Sequence, residues 1–456
     1  MPLSIALNTV ILAAGKGTRM KSSRPKVLHE AAGLSLVEWV KAAAEGLGAA
    51  KVHYVIGPET EDQIESLPWA REGNWSVQRE RKGTGHAVMQ AQDALGQAGG
   101  YTLVLYADTP LVTTEALQGF FDETVADEAD VALAVFDTPE PGGYGRIILD
   151  DEGRPSAIVE RKDATEEQQQ ITLCNGGIML ARTDVLFDLL SKTNDDNAAG
   201  EFYLTDVVEL ARSAGLKTRA TLFEQDLLAG VNSRAQLAEI EAVLQDRLRA
   251  NLMAEGVTMI APETVTLCHD TRIGADTIIE PNCFFGPGVT VGGGCRLRAG
   301  SYFEGATVGE GVIIGPMARL REGTVLADTV KVGNFVEIKN AELAKGAKAP
   351  HLTYVGDAEV GEKANLGAGT ITCNYDGVMK HRTKIGAGAF IGSNSALVAP
   401  VTIGAGALVG AGSTITDSVA DNAIVTTRGE TRVKEAAAER YRDRLRAIKA
   451  RKAASK

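Results

Sequence analysis

The 456-residue sequence predicts an α/β protein with two folds in one chain, a Rossmann-like domain followed by a left-handed parallel β-helix of hexapeptide repeats. Three observations lead to this expectation. The chain is too long for one ordinary hydrophobic core. Strand-like and helix-like stretches alternate in its first half. In its second half an apolar residue returns at every sixth position.

The first half contains short apolar runs separated by longer helical patterns. The runs VILAA, VHYVI, YTLVLYA and VALAVF alternate with stretches such as SLVEWVKAAAEGL and TEALQGFFDETVA. Such alternation predicts a parallel sheet covered on both faces. The stretch from Ser233 to Gly256 has the pattern of one long helix that spaces the two halves. We therefore expect a domain over residues 1–230 and a helical linker over 231–250.

The second half has a six-residue period, which neither the helical period of 3.6 nor the strand period of 2 produces. Glycine commonly follows the apolar residue. A short strand and a tight turn, repeated as one face of a three-sided coil, explain both features. We expect this β-helix over 251–430. The side chains expected to point inward are Leu267, Ile273, Ile279, Phe285, Val291, Leu297, Phe303, Val308, Ile314, Leu320, Leu326, Val332, Ile338, Ile385, Ile391, Leu397, Ile403, Val409 and Ile415.

Two stretches break this period, 339–359 and 372–384, and both carry polar and basic side chains. Insertions in a solenoid lie on its surface as loops, where functional residues concentrate. We therefore expect two functional surface loops here.

Charge, cysteines and hydropathy limit the partners and the compartment. The formal net charge is -12, but the tail 431–456 is basic and Ala-rich. We expect this tail to form a solvated helix that packs on an acidic neighbour, rather than a helix that binds nucleic acid or anionic lipid. The five cysteines are scattered, which favours the reducing cytoplasm. No apolar run is long enough to span a membrane, and the apolar N-terminal stretch is expected to be a buried strand rather than a signal peptide.

The opening stretch TVILAAGKGTRMKSSRPK has the look of a phosphate-binding loop but fits neither of two common motifs. Val10 stands where a Walker P-loop needs glycine, and Gly17 stands where it needs Ser or Thr. Met20 stands at the third glycine of the dinucleotide fingerprint. The loop is therefore a near miss to both motifs.

The ends of two predicted strands supply the residue types that such a site needs. Gly15 and Gly17 let backbone amides approach a phosphate, and Arg19 and Lys26 add positive charge. Asp108 in LYADTPL ends a second strand, where its carboxylate can hold Mg²⁺. Taken singly, the glycines also fit an ordinary tight turn and the aspartate an N-cap. Together they suggest nucleotide chemistry.

These motifs resemble a known family. LAAGKGTR followed by PK resembles the signature of sugar-nucleotide pyrophosphorylases, and nearly the whole chain is similar to the bacterial bifunctional N-acetylglucosamine-1-phosphate uridylyltransferase/glucosamine-1-phosphate N-acetyltransferases. The other matching motifs are QRERKGTGHA, LYADTP, GYGR, VERKD, CNGG, GEFYLTD, GVNSR, GNFVEIK, HLTYVGDA and NLGAGTITCNYDG. The resemblance implies acetyl transfer from acetyl-CoA to glucosamine 1-phosphate. Uridylyl transfer from UTP then gives UDP-N-acetylglucosamine for cell-wall synthesis, in a homotrimer.

The resemblance also implies residues for the uridylyl site. Arg19 and Lys26 face the phosphates as catalytic residues, Asp108 and Asn232 bind Mg²⁺, and His86 is expected to be structural. UTP and UDP-N-acetylglucosamine bind through Leu12, Ala13, Ala14, Gly15, Lys26, Gln78, Gly83, Thr84, Tyr106, Asp108, Gly145, Glu160, Asn175 and Asn232. The sequence departs from the family at Ala107, where the family has Gly, and at Gly176, where it has Thr.

For acetyl transfer, His351 is the expected general base, oriented by Asn374 or a neighbouring carboxylate. By resemblance, glucosamine 1-phosphate binds through Arg321, Lys339, Tyr354, Asn365 and Lys380. Acetyl-CoA binds through Ala368, Asn374, Tyr375, Ser393, Ala411 and Arg428.

Two other functions of the β-helix stay open at this point. One is a non-catalytic trimerising scaffold attached to a sugar-1-phosphate nucleotidyltransferase. The other is a zinc site of the carbonic anhydrase type, with His269, His351 and His381 as the available histidines. At about 4.8 Å per coil, His269 and His351 would lie about 20 Å apart, which disfavours zinc.

Overall fold

The computed structural model of the chain describes residues 5–70, 73–431 and 433–454, the last three by backbone alone. The outer ends of the predicted N-terminal domain and of the basic tail, 1–4 and 455–456, lie outside the described residues. The chain forms two compact units. The first takes the described residues up to Asn251 together with Leu267–His269, and the second takes Leu252–Thr266 and the described residues from Asp270 onward.

The first unit is a sheet with helices on both faces. Its strands are β1 Leu7–Ala13, β2 Glu30–Ala31, β3 Leu34–Ser35, β4 Lys51–Ile56, β5 Trp75–Val77, β6 Tyr101–Tyr106, β7 Val131–Asp137, β8 Arg146–Leu149, β9 Pro155–Val159, β10 Leu173–Arg182 and β11 Thr218–Leu222. Its α-helices are α1 Leu36–Gly46, α2 Pro58–Glu61, α3 Thr84–Met89, α4 Gln92–Leu95, α5 Thr114–Ala126, α6 Thr183–Leu190, α7 Asp206–Ser213 and α8 Arg234–Ala254, whose last residues belong to the second unit. Short 3₁₀ turns lie at Thr18–Met20, Lys26–Leu28, Ile64–Ser66, Pro68–Ala70, Gln168–Gln170 and Gln225–Leu228.

The main sheet has nine strands, in the order β11-β7-β10-β6-β1-β4-β5 with the β8–β9 hairpin attached to β10. The prediction of a parallel sheet was wrong in two strands. β10 runs antiparallel to both β6 and β7, and β9 runs antiparallel to β8. A hairpin, rather than a crossover helix, joins β7 to β10. The chain therefore returns in the opposite direction beside β7.

Both faces of the sheet are buried, as the continuous apolar runs predict. In β1, Ala13 packs into the core beneath α1 and α5, whereas Leu12 packs into the core beneath α3, α6 and α7. α1 starts at a capping box in which Ser35 and Glu38 hydrogen bond to each other's backbone N–H. A packed layer of helices on each face of the sheet therefore holds the strand ends in place.

The long helix α8 is confirmed within two residues of its predicted ends. It packs against the first unit rather than standing free, since Ile240 and Leu244 are buried in a cluster with Met20 and Leu36. The residues that precede α8 are held beside the opening loop by this packing.

The second unit is the left-handed β-helix, followed by one helix, α9 Ala437–Ala454, whose side chains from 438 to 451 are exposed. One 3₁₀ turn lies at Pro262–Thr264. Its strands are β12 Thr258–Met259, β13 Arg272–Ile273, β14 Ile278–Ile279, β15 Phe284–Phe285, β16 Thr290–Val291, β17 Arg296–Leu297, β18 Tyr302–Phe303, β19 Ala306–Val308, β20 Ile313–Ile314, β21 Arg319–Leu320, β22 Thr324–Leu326, β23 Lys331–Asn334, β24 Glu337–Leu343, β25 Lys348–His351, β26 Tyr354–Val360, β27 Asn365–Leu366, β28 Ile371–Cys373, β29 Thr383–Ile385, β30 Phe390–Ile391, β31 Ala396–Val398, β32 Val401–Ile403, β33 Leu408–Val409, β34 Thr414–Ile415 and β35 Ile424–Val425.

Parallel pairing between successive coils confirms the hexapeptide fold. Every side chain predicted to point inward is buried. In one column, Ile279 pairs with Leu297, Leu297 with Ile314, and Ile314 with Val332. Aliphatic side chains therefore stack directly above one another along the inside of the coil.

The predicted surface loop over 339–359 was wrong. These residues continue the coil in β24, β25 and β26, with Leu343, Ala349, Val355 and Val360 buried. The six-residue period is hard to see here for two reasons. Buried side chains are only five positions apart in two places, from Ile338 to Leu343 and from Val355 to Val360, and one inward residue is the small Ala349. Only the second break leaves the coil, as a hairpin over 374–381 closed by a bridge between Tyr375 and Lys380.

None of the helices in the part of the chain that the structure describes is long and apolar enough to cross a membrane.

Candidate functional site

The opening loop follows β1 directly and brings Lys26 back to the end of the sheet. Gly17 has a left-handed φ of 58°. A Cβ at Gly17 would lie 2.5 Å from the Cβ of Lys26, so glycine also permits this close approach. The loop thus has a fixed shape around the lysine.

Lys26, Asp108 and Asn232 meet at the end of the sheet. The Lys26 ammonium forms an ion pair with the Asp108 carboxylate, in which the two side chains are only 10% and 18% exposed. It also donates a hydrogen bond to Asn232 Oδ1 at 3.2 Å. The backbone N–H of Val231 donates to the carbonyl of Asp108 at 2.8 Å, which ties the two segments together. Two hard oxygen donors therefore converge on one cation, a donor set that suits Mg²⁺.

A cavity of about 300 Å³ opens beside the opening loop. Nine of the residues expected to bind nucleotide line it: Leu12, Ala14, Gly15, Lys26, Gln78, Gly83, Thr84, Tyr106 and Asp108. Ala13 does not contribute its side chain, because strand alternation turns it into the opposite core.

A second cavity, of about 420 Å³, contains Arg19, Asn175 and Asn232. Gly145 and Glu160 stand next to it. A Cβ at Gly145 would lie 3.5 Å from Glu160 Oε1 and 3.7 Å from the Cβ of Asn175. The structure therefore brings together Gly145, Glu160 and Asn175, three of the residues expected to bind UDP-N-acetylglucosamine.

Tyr106 and Asp108 line both cavities. Burial raises the pKa of Tyr106, and the hydroxyl also interacts with Thr84, so a neutral phenol stands in the shared wall. Asp108 lies where ligands from the two cavities would meet. At this junction a group could pass between ligands bound in the two cavities.

The sequence reasoning missed Arg81, which lines the first cavity. Its Nε donates to the carbonyl of Ala14 at 2.8 Å, and its guanidinium pairs with Glu59. Arg81 thus anchors the opening loop to the QRERKG segment. The sequence did contain a signal for Arg81, because this residue lies in the basic QRERKG motif, two residues before Gly83.

The structure explains one of the two departures from the family, the glycine at position 176. A side chain at Gly176 would collide with the Leu228 methyl group, which fills the space beside this glycine in the second cavity. Threonine would not fit without movement of Leu228. Ala107 is fully buried, and its side chain packs in the core.

Several carboxylates gather behind the second cavity. Thr205 donates to Glu160 at 3.4 Å. Burial raises the pKa of Glu160, with a further contribution from Asp163. Burial, Glu209 and Glu160 together raise the pKa of Asp206 to about 6. Mutual repulsion in a partly dry site therefore favours protonated forms here.

His351 in the second unit has a defined partner. Its Nδ1 lies 2.8 Å from Asn334 Oδ1, and the two residues are paired between β23 and β25. The expectation that Asn374 or a carboxylate would orient His351 was wrong, because register places Asn334 beside the imidazole. Asn334 stands in the quoted GNFVEIK motif, 17 residues before His351, which is one coil of the helix.

Asn374 belongs to a different network. Its amide donates to the buried carboxylate of Asp357 and, at 3.4 Å, to the hydroxyl of Tyr354. The other oxygen of Asp357 accepts from Asn340 at 2.5 Å. The base of the hairpin that carries Lys380 is therefore fastened to the coil. Sequence reasoning missed Asp357 and Asn340.

Positive charges gather beside this network. The neighbouring Lys380 ammonium lowers the pKa of Lys339, which shows that the two like charges stand close together. Arg321 lies nearby and pairs with Glu337 at 2.8 Å. Such a cluster favours an anion with several oxygens.

One edge of the β-helix aligns the remaining predicted residues. His351 O accepts from Gly369 N, Ala368 O from Asn394 N, and Ser393 O from Gly412 N. His351, Ala368, Ser393 and Ala411 therefore occupy equivalent corners of successive coils.

Asn365 begins the strand before Ala368. A guanidinium nitrogen of Arg428 lies 3.6 Å from the position of a Cβ on Gly410. Tyr375 is 60% exposed on the hairpin.

Comparisons with known proteins match both units. The MobA-like NTP transferase domain family matches residues 9–255, and the bacterial transferase hexapeptide family (six repeats) matches 270–305 and 382–417. A protein from Azorhizobium caulinodans, described as bifunctional protein GlmU, is 52% identical over 94% of this chain and 96% of its own.

Two further relatives carry the same description. The one from Jannaschia sp. is 48% identical over 98% of each chain, and the one from Ruegeria sp. is 51% identical over 97% of this chain and 98% of its own. A solved structure of UDP-glucose pyrophosphorylase with UDP-glucose aligns at 19% identity and a TM-score of 0.43, over 53% of this chain and 100% of that one.

Asp206→Asn should stabilise the protein near pH 8 and have little effect near pH 4. Because the pKa of Asp206 is about 6 in the fold, against 3.8 ordinarily, the folded state binds this proton more tightly than the unfolded chain. The stability that the folded protein gains by binding this proton is lost as pH rises through 6. We expect a gain of about 1 kcal/mol after allowance for solvent screening. Thermal unfolding at both pH values measures it, with exposed Asp122→Asn as control. An equal gain at both pH values would contradict the raised pKa.

Proposed function

The chain belongs to the bifunctional GlmU family, and from this premise we propose that it makes UDP-N-acetylglucosamine in two steps. The second unit transfers the acetyl group of acetyl-CoA to the amine of glucosamine 1-phosphate. The first unit transfers uridylyl from UTP to the resulting N-acetylglucosamine 1-phosphate and releases pyrophosphate. The observation that carries the proposal is the junction of two cavities at Asp108, beside cationic Lys26 and Arg19.

In the uridylyl step, UTP occupies the first cavity and the sugar phosphate occupies the second. A phosphate oxygen of the sugar attacks the α-phosphorus of UTP in line, and pyrophosphate leaves. The protein positions the reactants and offsets their charge, so no nucleophilic side chain is needed. Lys26 serves the nucleotide side and Arg19 the sugar-phosphate side, because they line the first and second cavity respectively.

We assign Mg²⁺ to Asp108 and Asn232, whose oxygens already converge on the Lys26 ammonium. When bound, Mg²⁺ neutralises phosphate charge and polarises the reacting phosphoryl group. Tyr106 stands beside Asp108 as a neutral phenol and adds no competing charge.

In the acetyl step, His351 takes the proton of the attacking amine. Asn334 Oδ1 accepts a hydrogen bond from His351 Nδ1, which leaves the Nε2 lone pair for the proton. The amine attacks the thioester carbonyl, the C–S bond breaks, and the proton passes from His351 to the departing thiolate. Asn334 is therefore a positioning residue for the base.

The other residues of the second site hold the two substrates. Lys339, Lys380 and Arg321 surround the phosphate of glucosamine 1-phosphate, which relieves the repulsion between the two ammonium groups. Tyr354 and Asn365 stand beside it in our proposal. Acetyl-CoA runs along the aligned corners Ala368, Ser393 and Ala411 toward Arg428, with Asn374 and Tyr375 on the hairpin side.

We further propose a cytoplasmic homotrimer in which a neighbouring chain completes the acetyl-CoA site. The hairpin exposes Val378 by 85% and Met379 by 60%, an apolar tip that suits a subunit contact. No two of the five cysteines are joined by a disulfide within the part of the chain that the structure describes, which suits a reducing compartment.

Lys26→Ala should lower uridylyl transfer by about ten- to a thousandfold, because one positive charge is lost where charge develops. Steady-state rates with UTP, N-acetylglucosamine 1-phosphate and Mg²⁺ measure this loss. Lys41→Ala is the matched control, since Lys41 pairs with Glu45 on the surface of α1. A Lys26→Ala rate within twofold of the parent would refute the assignment.

Asn334→Leu should lower kcat of acetyl transfer by about tenfold or more, because the imidazole loses the acceptor that fixes its tautomer. Asn334→Asp keeps an acceptor and should retain more activity. The coupled release of free thiol from acetyl-CoA measures both variants, and their uridylyl transfer should match the parent. Full acetyl transfer by Asn334→Leu would mean that Asn334 does not orient His351.

Sedimentation of the full chain at micromolar concentration should report three copies. Replacing both Val378 and Met379 with lysine should weaken association, because charge then enters an apolar contact. A parent that sediments as a monomer would remove the shared acetyl-CoA site. A lysine variant that associates like the parent would place the contact elsewhere.

A further inference from the structure

The helix α9 of the basic tail has its side chains exposed from residue 438 to residue 451. The residues between the coil and this helix, 426–431 and 433–436, form neither helix nor strand. The acidic neighbour that the sequence predicted for the tail therefore does not cover α9 within the part of the chain that the structure describes. The surface of α9 is available to a partner outside this chain.

One side of α9 is apolar. Tyr441, Leu445 and Ile448 are 63%, 47% and 42% exposed. Their spacings of four and three residues place them on one side of the helix, in a line about 10 Å long. We call these three residues the apolar stripe. Solvent reaches all three of its side chains, so the stripe lacks a covering surface in this chain.

Cations lie along both edges of the apolar stripe. In the heptad that has the stripe at its core positions, the four edge positions from 442 to 451 are all basic: Arg442, Arg444, Lys449 and Arg451. The two acids of α9, Glu439 and Asp443, lie on the opposite side of the helix, where Asp443 pairs with Arg446 at 3.2 Å. One side of α9 therefore combines apolar contact with positive charge, and the acids point away from it.

A second copy of α9 is a poor partner for the apolar stripe. In a coiled coil, the edge positions of one helix face the edge positions of the next. Two copies of α9 would bring cations against cations along both edges, which opposes pairing.

The exposed apolar groups of the coil are poor partners for the same reason. Arg319 lies over the ring of Tyr302, 5.7 Å from its centroid. On another face, an exposed apolar column leads through Asn365 to the cation Lys348. The members of this column are Phe390, Leu408 and Ile424. Cations thus border the apolar surfaces that a neighbouring coil would offer to the basic edges of α9.

We propose that α9 binds the surface of a bilayer that contains anionic phospholipids. The apolar stripe enters the boundary between headgroups and acyl chains, and the long basic side chains reach the phosphates on both sides of it. A flat anionic surface meets both edges of the stripe at once, and the acids on the far side of α9 stay in water. This inference is independent of the two proposed enzyme activities.

The test is co-sedimentation of the full chain with lipid vesicles in about 0.1 M salt, where charges further apart than about 10 Å are screened. One set of vesicles contains phosphatidylcholine alone, and the other contains two parts of phosphatidylcholine to one part of phosphatidylglycerol. Partition into the anionic vesicles should exceed partition into the neutral ones by about tenfold or more.

The stripe variant Tyr441→Ala/Leu445→Ala/Ile448→Ala keeps every charge and a good helix former at each position. It should lower partition into the anionic vesicles by about tenfold or more, because apolar contact with the bilayer is lost. Thermal unfolding and sedimentation like those of the parent should confirm an intact fold, since all three side chains are exposed.

The edge variant Arg444→Gln/Lys449→Gln removes two cations beside the stripe and should lower this partition by about tenfold or more. Its matched control is Arg440→Gln/Arg446→Gln, which removes the same charge from positions further from the stripe. The control should stay within about threefold of the parent, because screening weakens charges held away from the bilayer.

Three results would overturn the proposal. The first is a parent that partitions equally into neutral and anionic vesicles, or into neither. A parent that binds duplex DNA but no vesicles would assign the tail to nucleic acid instead. The second is a stripe variant that binds like the parent, which would reduce α9 to an unspecific polycation. The third is a control variant that loses as much binding as the edge variant.

Discussion

Parallel hydrogen bonding between strands is the constraint on which both units depend. In the first unit, β1 pairs with β4 and β6 so that their carboxyl ends share one edge of the sheet. In the second unit, each coil repeats the register of the coil before it. Functional side chains are therefore placed by backbone pairing, with Asp108 at a strand end and Asn334 beside His351 one coil away.

In the proposed function, both sites place positive charge where a phosphate would bind. In the first unit, Asp108 compensates Lys26 in a partly buried pair whose oxygens also suit a metal ion. In the second unit, Lys339 and Lys380 stand close together, and a bound anion would relieve the repulsion between them. The buried Asp357 fastens the hairpin that carries Lys380. The two sites therefore differ: Lys26 is paired with a carboxylate, whereas Lys339 and Lys380 stand beside each other.

The sequence predicted periodic features well and contacts between distant segments poorly. The stacked core followed from the six-residue period, and α8 from its helical pattern. The coil over 339–359 was missed because small residues and shorter spacings conceal a period. The antiparallel β10 was missed because direction depends on the connection rather than on strand composition. Asn334 was missed because pairing with His351 needs the register of two coils, which no local motif contains.

The central claim is that one chain holds two separate catalysts that act in series. The most direct measurement mixes two inactive variants, His351→Ala and Asp108→Ala, with glucosamine 1-phosphate, acetyl-CoA, UTP and Mg²⁺. Each variant keeps the site that the other lacks, and N-acetylglucosamine 1-phosphate made by one can diffuse to the other. The account predicts that the mixture forms UDP-N-acetylglucosamine although neither variant does so alone. If the mixture forms none while each variant retains its own half-reaction, the two sites are not independent and the account is contradicted.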